Sequence, residues 1–348
     1  MKLQPQQPDP AAWQRWTDGH AVPLLQQAAW AALKGQFGWQ SARLIVGDGT
    51  AQAGAQLLIR SRFGIGMGYL PHGPRWSGNS AVDTALLQSI RQLARRRRLL
   101  FVRIENDLAA DSAEAAALHE RMQAVGAVQA EPLQPRTTVL LDLTPPPAEL
   151  LRACSKGHRA DITRAERLGV TVRHGSVADV AAFTALMQTT GQRKDFAVHS
   201  PDYYAAALTL HGTRARLLIA ELDGRIVAGH LYINDGNTVA YLYSGASRDG
   251  LKAGANHLLS WTAITWARES GAHRLDFWGI PDAYGAAEQA ADDAQREVLL
   301  AQAGLDPLNG VYRFKKGFGG RIVRRVPAYD LVFVPGPLYR FALRRIGG

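Results

Sequence analysis

The chain has 348 residues, 47% of them hydrophobic and 20% charged, which suits a folded protein of two domains and excludes a disordered one. Lys and Arg number 40 against 30 Asp and Glu; the resulting +10 charge fits a polyanionic partner such as nucleic acid, a phosphorylated substrate or an anionic membrane face. The single cysteine, Cys154, excludes an intramolecular disulfide and a cysteine-based zinc site. No apolar run reaches the length of a membrane span, and Met1 to Pro10 lacks the apolar stretch of a secretion signal, so a cytoplasmic enzyme is expected.

In chain order, a first strand is predicted up to the Asp48-Gly49 turn, a second over Ala55 to Ile59, and a third ending in Tyr69-Leu70-Pro71-His72-Gly73. A helix follows, with Leu86, Leu87, Ile90, Leu93 and Ala94 at helical spacing. It ends in Arg95-Arg96-Arg97-Arg98, where cations complement the helix dipole. The apolar strand Leu99 to Ile104 closes the unit. Glu131 to Pro147 reads as a linker, because Pro145-Pro146-Pro147 stops both helix and central strand. Glu149 to Leu168 reads as one charged helix.

The same order then recurs. Asp48 through Gly54 aligns with Asp223 through Gly229, and Tyr69-Leu70-Pro71-His72-Gly73 with Tyr241-Leu242-Tyr243-Ser244-Gly245. A strand from His230 to Ile233, a helix apolar on more than one face around Leu258 to Ala267, and a strand from Arg274 to Trp278 complete the second copy. An alanine- and acid-rich insertion, Asp282 to Asp306, follows. A strand over Tyr329 to Val334 and a short basic helix over Leu338 to Arg345 belong to neither copy, and are expected to return to the first domain.

Hairpin, long strand, helix and parallel strand is the core order of the GNAT acyltransferase fold. The expected architecture is therefore α/β with mixed sheets, in two tandem GNAT-like domains: 1–145 with 327–348, and 146–326.

Four segments resemble the FemABX family, which adds amino acids from aminoacyl-tRNA to peptidoglycan precursors. They are Leu25-Gln26 through Trp39; the basic stretch Lys156-Gly157-His158-Arg159 through Glu166 with Gly169-Val170; Leu275-Asp276-Phe277-Trp278-Gly279-Ile280; and Gly310 through Gly320, with Phe314-Lys315 in a glycine-bounded loop. No heptad pattern of a long coiled-coil arm accompanies them. Two departures stand out: His72 where the family often has Arg, and Asn106 rather than Pro after Glu105.

The resemblance implies aminoacyl transfer from aminoacyl-tRNA to the stem peptide of a nucleotide- or lipid-linked precursor. It implies a monomer with no cofactor beyond the tRNA co-substrate, and with peripheral contact at the inner membrane face open. It assigns Lys315, held by Phe314, as the cation for the oxyanion of the tetrahedral intermediate; Lys316 differs little in sequence logic, so this choice rests on the resemblance. Lys34 and Arg193 become candidates for a diphosphate clamp, with Lys194 an alternative register for the latter. Tyr243 and Glu105 become candidates for orienting the stem peptide, Tyr243 with a place in the aromatic core as its rival. Asp276 is as readily a loop cap as a substrate contact.

Lys156, Arg159, Arg164, Arg324 and Arg325 are candidate tRNA-backbone cations. The C-terminal basic helix could equally lie on anionic lipid. Cys154 has little support as a nucleophile, and the scattered histidines show no metal-ligand spacing. The rival activity is a GNAT-type N-acetyltransferase using acetyl-CoA. Its nearest pyrophosphate-loop segment, Arg248 through Ala255, has the wrong spacing. A non-catalytic RNA- or lipid-binding protein is a third reading, which the Phe-Lys segment opposes.

Overall fold

Two mixed sheets organise the chain, each in its own unit: Met1–Arg136 with Arg325–Gly348, and Thr137–Arg324. The computed structural model describes residues 3, 5–47, 50–194 and 197–344. Asp48 and Gly49 of the first turn, and Arg345 of the basic tail, lie outside the described residues.

The first unit begins with α1 (Pro10–Asp18) and α2 (Ala28–Gln36), then β1 (Gln40–Gly47), β2 (Gln52–Arg62), β3 (Ile65–Pro71), α3 (Ser80–Arg96), β4 (Leu99–Glu105), α4 (Ala113–Ala124) and β5 (Val128–Ala130). The second contains β6 (Thr137–Asp142), α5 (Pro147–Ala153), α6 (Lys156–Arg167), β7 (Thr171–His174), α7 (Val180–Lys194), α8 (Pro201–His211), β8 (Ala215–Leu222), β9 (Arg225–Asn234) and β10 (Thr238–Ala246). It continues through α9 (Arg248–Ala253), α10 (Ala255–Glu269), β11 (Arg274–Gly279), α11 (Asp282–Ala287), α12 (Asp293–Leu305), α13 (Asn309–Lys316) and β12 (Arg321–Arg324). The chain then rejoins the first unit as β13 (Ala328–Val332) and α14 (Gly336–Arg344).

The sheet orders are β1-β2-β3-β4-β13-β5 and β12-β6-β11-β10-β9-β8-β7. Each contains one parallel step, β3 to β4 through α3 and β10 to β11 through α9 and α10, flanked on one side by an antiparallel hairpin and on the other by an antiparallel strand distant in the chain. A parallel pair needs such a crossover, and the helix that makes it buries its apolar stripe on the sheet. In α3 the Asn79 side chain caps the first turn by accepting from Ala81 and Val82 N–H. Leu86, Leu87, Ile90, Leu93 and Ala94 are all buried, each large one stabilising by roughly 1.5–3 kcal/mol. α10 is apolar on two faces because it packs on β8 and β9 and also receives α6.

Two sequence expectations are corrected. Thr137–Asp142 does not close the first domain: it pairs antiparallel with β11 and β12, so the border falls before this strand rather than at the prolines. The apolar run Thr137 to Leu141 makes a central strand, while Pro147 merely starts α5. The predicted helix from Glu149 to Leu168 is two helices. Cys154 is extended, and Ser155 caps a new start at Lys156 by accepting from His158 N–H. The insertion forms α11 and α12.

The C-terminal strand β13 lies between β4 and β5, antiparallel to both. Its Asp330 is fully buried and takes two hydrogen bonds from Arg103 on β4, at 2.9 and 2.7 Å, and one from Tyr339 on α14 at 2.7 Å. Removing one partner of a buried pair strands the other charge. Asp330→Ala is therefore expected to lower unfolding free energy by about 3–5 kcal/mol in urea titration, and Asp330→Asn by less.

Candidate active site

β10 and β11 are paired only from Thr238 to Ala240 with Arg274 to Asp276, and the ladder ends there. β10 has a bulge between Tyr241 and Tyr243, and the β11–β6 register shifts between Asp276 and Gly279. Irregular strand ends of this kind re-aim side chains. Trp278 takes a positive φ of 62°, unfavourable for a bulky residue. Its N–H donates to Asp276 at 2.7 Å, and Thr138 donates to the same carboxylate oxygen and to the Trp278 carbonyl. The turn is thus held so that the next carbonyl, Gly279, accepts from Lys315 Nζ at 2.7 Å.

Lys315 is the one buried residue of α13, and its ammonium lies 5.8 Å from the Tyr241 ring centroid. Burial pushes its pKa down to about 7, with Asp276 opposing the shift. Beneath Tyr241 the buried His230, lowered to about 3 by burial, bonds with the Tyr232 and Tyr241 hydroxyls. Lys316 instead donates to Gly320 O at 2.6 Å, so the adjacent lysines differ in environment although they did not in sequence logic.

The Phe314-Lys315 pair lies on a helix, not in the expected loop. α13 ends at Gly317, where a Cβ would come within 2.0 Å of the His158 ring. That close approach is what its glycine permits. Phe314 packs against His158, His257 and Phe318.

His158 is the residue that sequence reasoning passed over. Its Nε2 lies 2.7 Å from the Phe314 carbonyl and its Nδ1 2.9 Å from Ser155 Oγ. A carbonyl only accepts, so Nε2 carries the proton and Ser155 donates to Nδ1. His257 stacks edge-on against it at 4.7 Å, and its pKa is lowered to about 4 by burial and by His158. The available signal was the Ser155 cap three residues ahead of His158.

The other candidates fall in different settings. Lys34 ends α2 with its ammonium 4.9 Å over the Trp30 ring. Arg193 is exposed at the end of α7, whereas Lys194 is half-buried and would lie 3.8 Å from a Cβ at Gly310 of α13. Tyr243 packs edge-on with Tyr203, Tyr204 and His199, its hydroxyl donating to Tyr203 at 3.3 Å. Glu105 is buried and accepts from the Tyr69 hydroxyl and from Leu133 and Gln134 N–H. Burial raises its pKa while those bonds oppose the rise.

Of the tRNA candidates, Lys156 is exposed. Arg164 pairs with Asp161 at 2.9 Å, and Arg159 turns back to the Arg152 and Cys154 carbonyls. Arg324 forms a two-point pair with Asp282. Arg325 is corrected from surface cation to buried ion-pair member: it is 8% exposed and bound to Asp107, which also faces His72. Asp107 and His72 line a cavity of about 670 Å³ with Trp76, Asp83, Asn106 and Arg121.

Cys154 is buried and its thiol is pushed up to about 11 by burial, so little thiolate exists at neutral pH. The Arg248 to Ala255 segment is no open phosphate loop. It folds as α9, capped by Ser247, and Gly254 abuts the Asp161 carbonyl of α6.

A model of the FemAB family matches residues 10–225 and 223–342. The lipid II:glycine glycyltransferase of Staphylococcus aureus is 23% identical, covering 91% of this chain and 89% of that protein. The crystal structure of FemX superposes with a TM-score of 0.82 at 20% identity, covering 97% of this chain and 99% of that one. A tandem GNAT protein from the clavulanic acid biosynthesis pathway follows the same fold with a TM-score of 0.58 at 13% identity, covering 96% and 100%.

Two measurements test the site's geometry. Gly317→Ala is expected to cost about 1–3 kcal/mol of stability through its clash with His158. For Lys315, the folded pKa is about 7 against 10.5 free, so the unfolded chain binds more protons between these values. Stability should rise with pH across that window. Lys315→Met should therefore raise Tm most at or below pH 7, with an advantage that fades toward pH 10.

Proposed function

Because this chain belongs to the FemAB family and is an aminoacyltransferase, we propose that it transfers an aminoacyl group from aminoacyl-tRNA to the stem peptide of a peptidoglycan precursor, nucleotide- or lipid-linked. The observation that carries the reading is the buried Lys315 ammonium at the end of a diverging parallel pair. The acceptor amine attacks the ester carbonyl, and a tetrahedral oxyanion forms. Its collapse breaks the bond to the ribose oxygen and leaves an amide. The amine's proton departs and the ribose oxygen gains one.

An ammonium has three N–H bonds, and Gly279 takes one. The others can meet the oxyanion in a site where water screens little. A pKa near 7 keeps Lys315 partly cationic at neutral pH. Phe314 and Asp276 fix its approach, the former through α13 and the latter through the Trp278 turn. The rest of the acceleration comes from holding ester and amine together. Lys34 and Arg193 remain the proposed phosphate contacts, and Lys156 the proposed tRNA contact with the clearest exposure. The third reading, a protein without catalysis, gives no reason to keep a charge buried in this way.

Purified protein is incubated with tRNA charged with radiolabelled amino acid, a muropeptide precursor and, separately, acetyl-CoA. Label should reach the precursor from tRNA. Transfer only from acetyl-CoA would overturn the proposal in favour of the acetyltransferase reading. Lys315→Ala should reduce turnover at least about 100-fold, as for loss of an oxyanion partner, with precursor affinity unchanged. If the cation is the acting form, turnover must decline as pH rises through about 7, and Lys315→Arg should abolish that decline.

A further inference from the structure

The β2–β3 hairpin of the first unit closes through Phe63 and Gly64, both at positive φ (54° and 75°). A two-residue turn of this kind favours Asn or Asp before Gly, because a bulky side chain is strained there. Phe63 is also 90% exposed, and Ile65 beside it 51%. Neither local conformation nor burial favours a phenylalanine at this position, so folding does not explain it.

Its surroundings are cationic. Arg62 lies over the Phe63 ring at 5.0 Å and Arg60 over Trp39 at 5.8 Å. The exposed run Arg95 to Arg98 ends beside the tip of the hairpin, where the Arg98 carbonyl accepts from Gly66 N–H, one pair back from the turn. Between Asp48 and Glu105 the only acidic residue is Asp83, and it is fully buried against Arg121. β13 brings the chain to this end of the sheet, where Phe333 N–H donates to Leu100 O. α14 follows, with Leu338 and Phe341 more than half exposed and no acidic residue after Asp330.

We infer that this hairpin tip docks on the surface of an anionic phospholipid bilayer, with Phe63 and Ile65 entering the headgroup–acyl boundary and the arginines meeting lipid phosphates. Apolar burial and basic residues add in such binding. A nucleic acid could take the arginines and stack a base on Phe63, but it gives Ile65 nothing to bury in, whereas the headgroup–acyl boundary takes both side chains. Among the described residues no helix is long and apolar enough to cross a membrane, so such contact would be peripheral. The inference does not depend on the transfer reading, since vesicle binding is measured without turnover.

The full chain is sedimented with vesicles of equimolar phosphatidylglycerol and phosphatidylcholine, and with pure phosphatidylcholine. Binding is expected to the first alone. Phe63→Asn should weaken it about tenfold while leaving Tm equal or higher, because Asn tolerates the turn better. Arg96→Ala and Arg97→Ala should each weaken it about fivefold. Phe63→Trp should show a blue-shifted emission on anionic vesicles. Failure of the wild-type chain to sediment, an unchanged partition of Phe63→Asn, or an unshifted Phe63→Trp spectrum would each overturn the inference. Loss of binding to bulk tRNA in Phe63→Asn with vesicle binding intact would reassign the tip to nucleic acid.

Discussion

A single buried ammonium governs the second unit. Lys315 loses its water, and burial drives it toward neutrality unless the fold supplies partners. Gly279 supplies a carbonyl, Asp276 a negative charge and Tyr241 a ring face. For that carbonyl to arrive, the chain must turn through a left-handed Trp278, and the turn is held by the same carboxylate that balances the lysine. Asp276, readable from sequence as a loop cap or a substrate contact, caps the Trp278 turn and balances the lysine with the same carboxylate.

The other half of the constraint is the helix that carries the lysine. α13 is short and would be marginal alone. It is pinned by His158, which reads a backbone carbonyl of the Phe314 turn, and by Gly317, which lets the imidazole approach without a Cβ between. His158 in turn sits on a helix that starts at Ser155, so the missed break between α5 and α6 is what positions it. The cavity of about 690 Å³ in this unit lies elsewhere. It is lined by Asp142, His273, Arg274 and Arg321 at the start of β11, whereas the lysine lies at its end. The site is defined by chemistry, not by volume.

In the first unit charge is used differently. Arg103 and Arg325 are buried in ion pairs with Asp330 and Asp107, where they hold the C-terminal strand and the strand end after β4. Burying a charge is tolerated only with such a partner. The formal excess of +10 thus says little about any one arginine. The cations facing solvent concentrate in the run at the end of α3 and on the β2–β3 hairpin.

Element order and the repeat were legible from residues alone, because alternation, helical spacing and glycine turns act between near neighbours. Strand and helix cores from Leu86 to Ala94 and from Arg274 to Trp278 lie close to their observed positions. Resemblance carried Lys315 over Lys316, and the family match agrees with that resemblance. The tertiary structure decided what those signals could not reach. It separated Lys315 from Lys316 by their acceptors, moved Thr137–Asp142 into the second sheet, and spent Arg324, Arg325 and the Tyr243 hydroxyl on protein partners. It also joined His158 to a carbonyl 156 residues away. Burial and partner are properties of distant segments meeting, and spacing along a chain carries no record of which segments those will be.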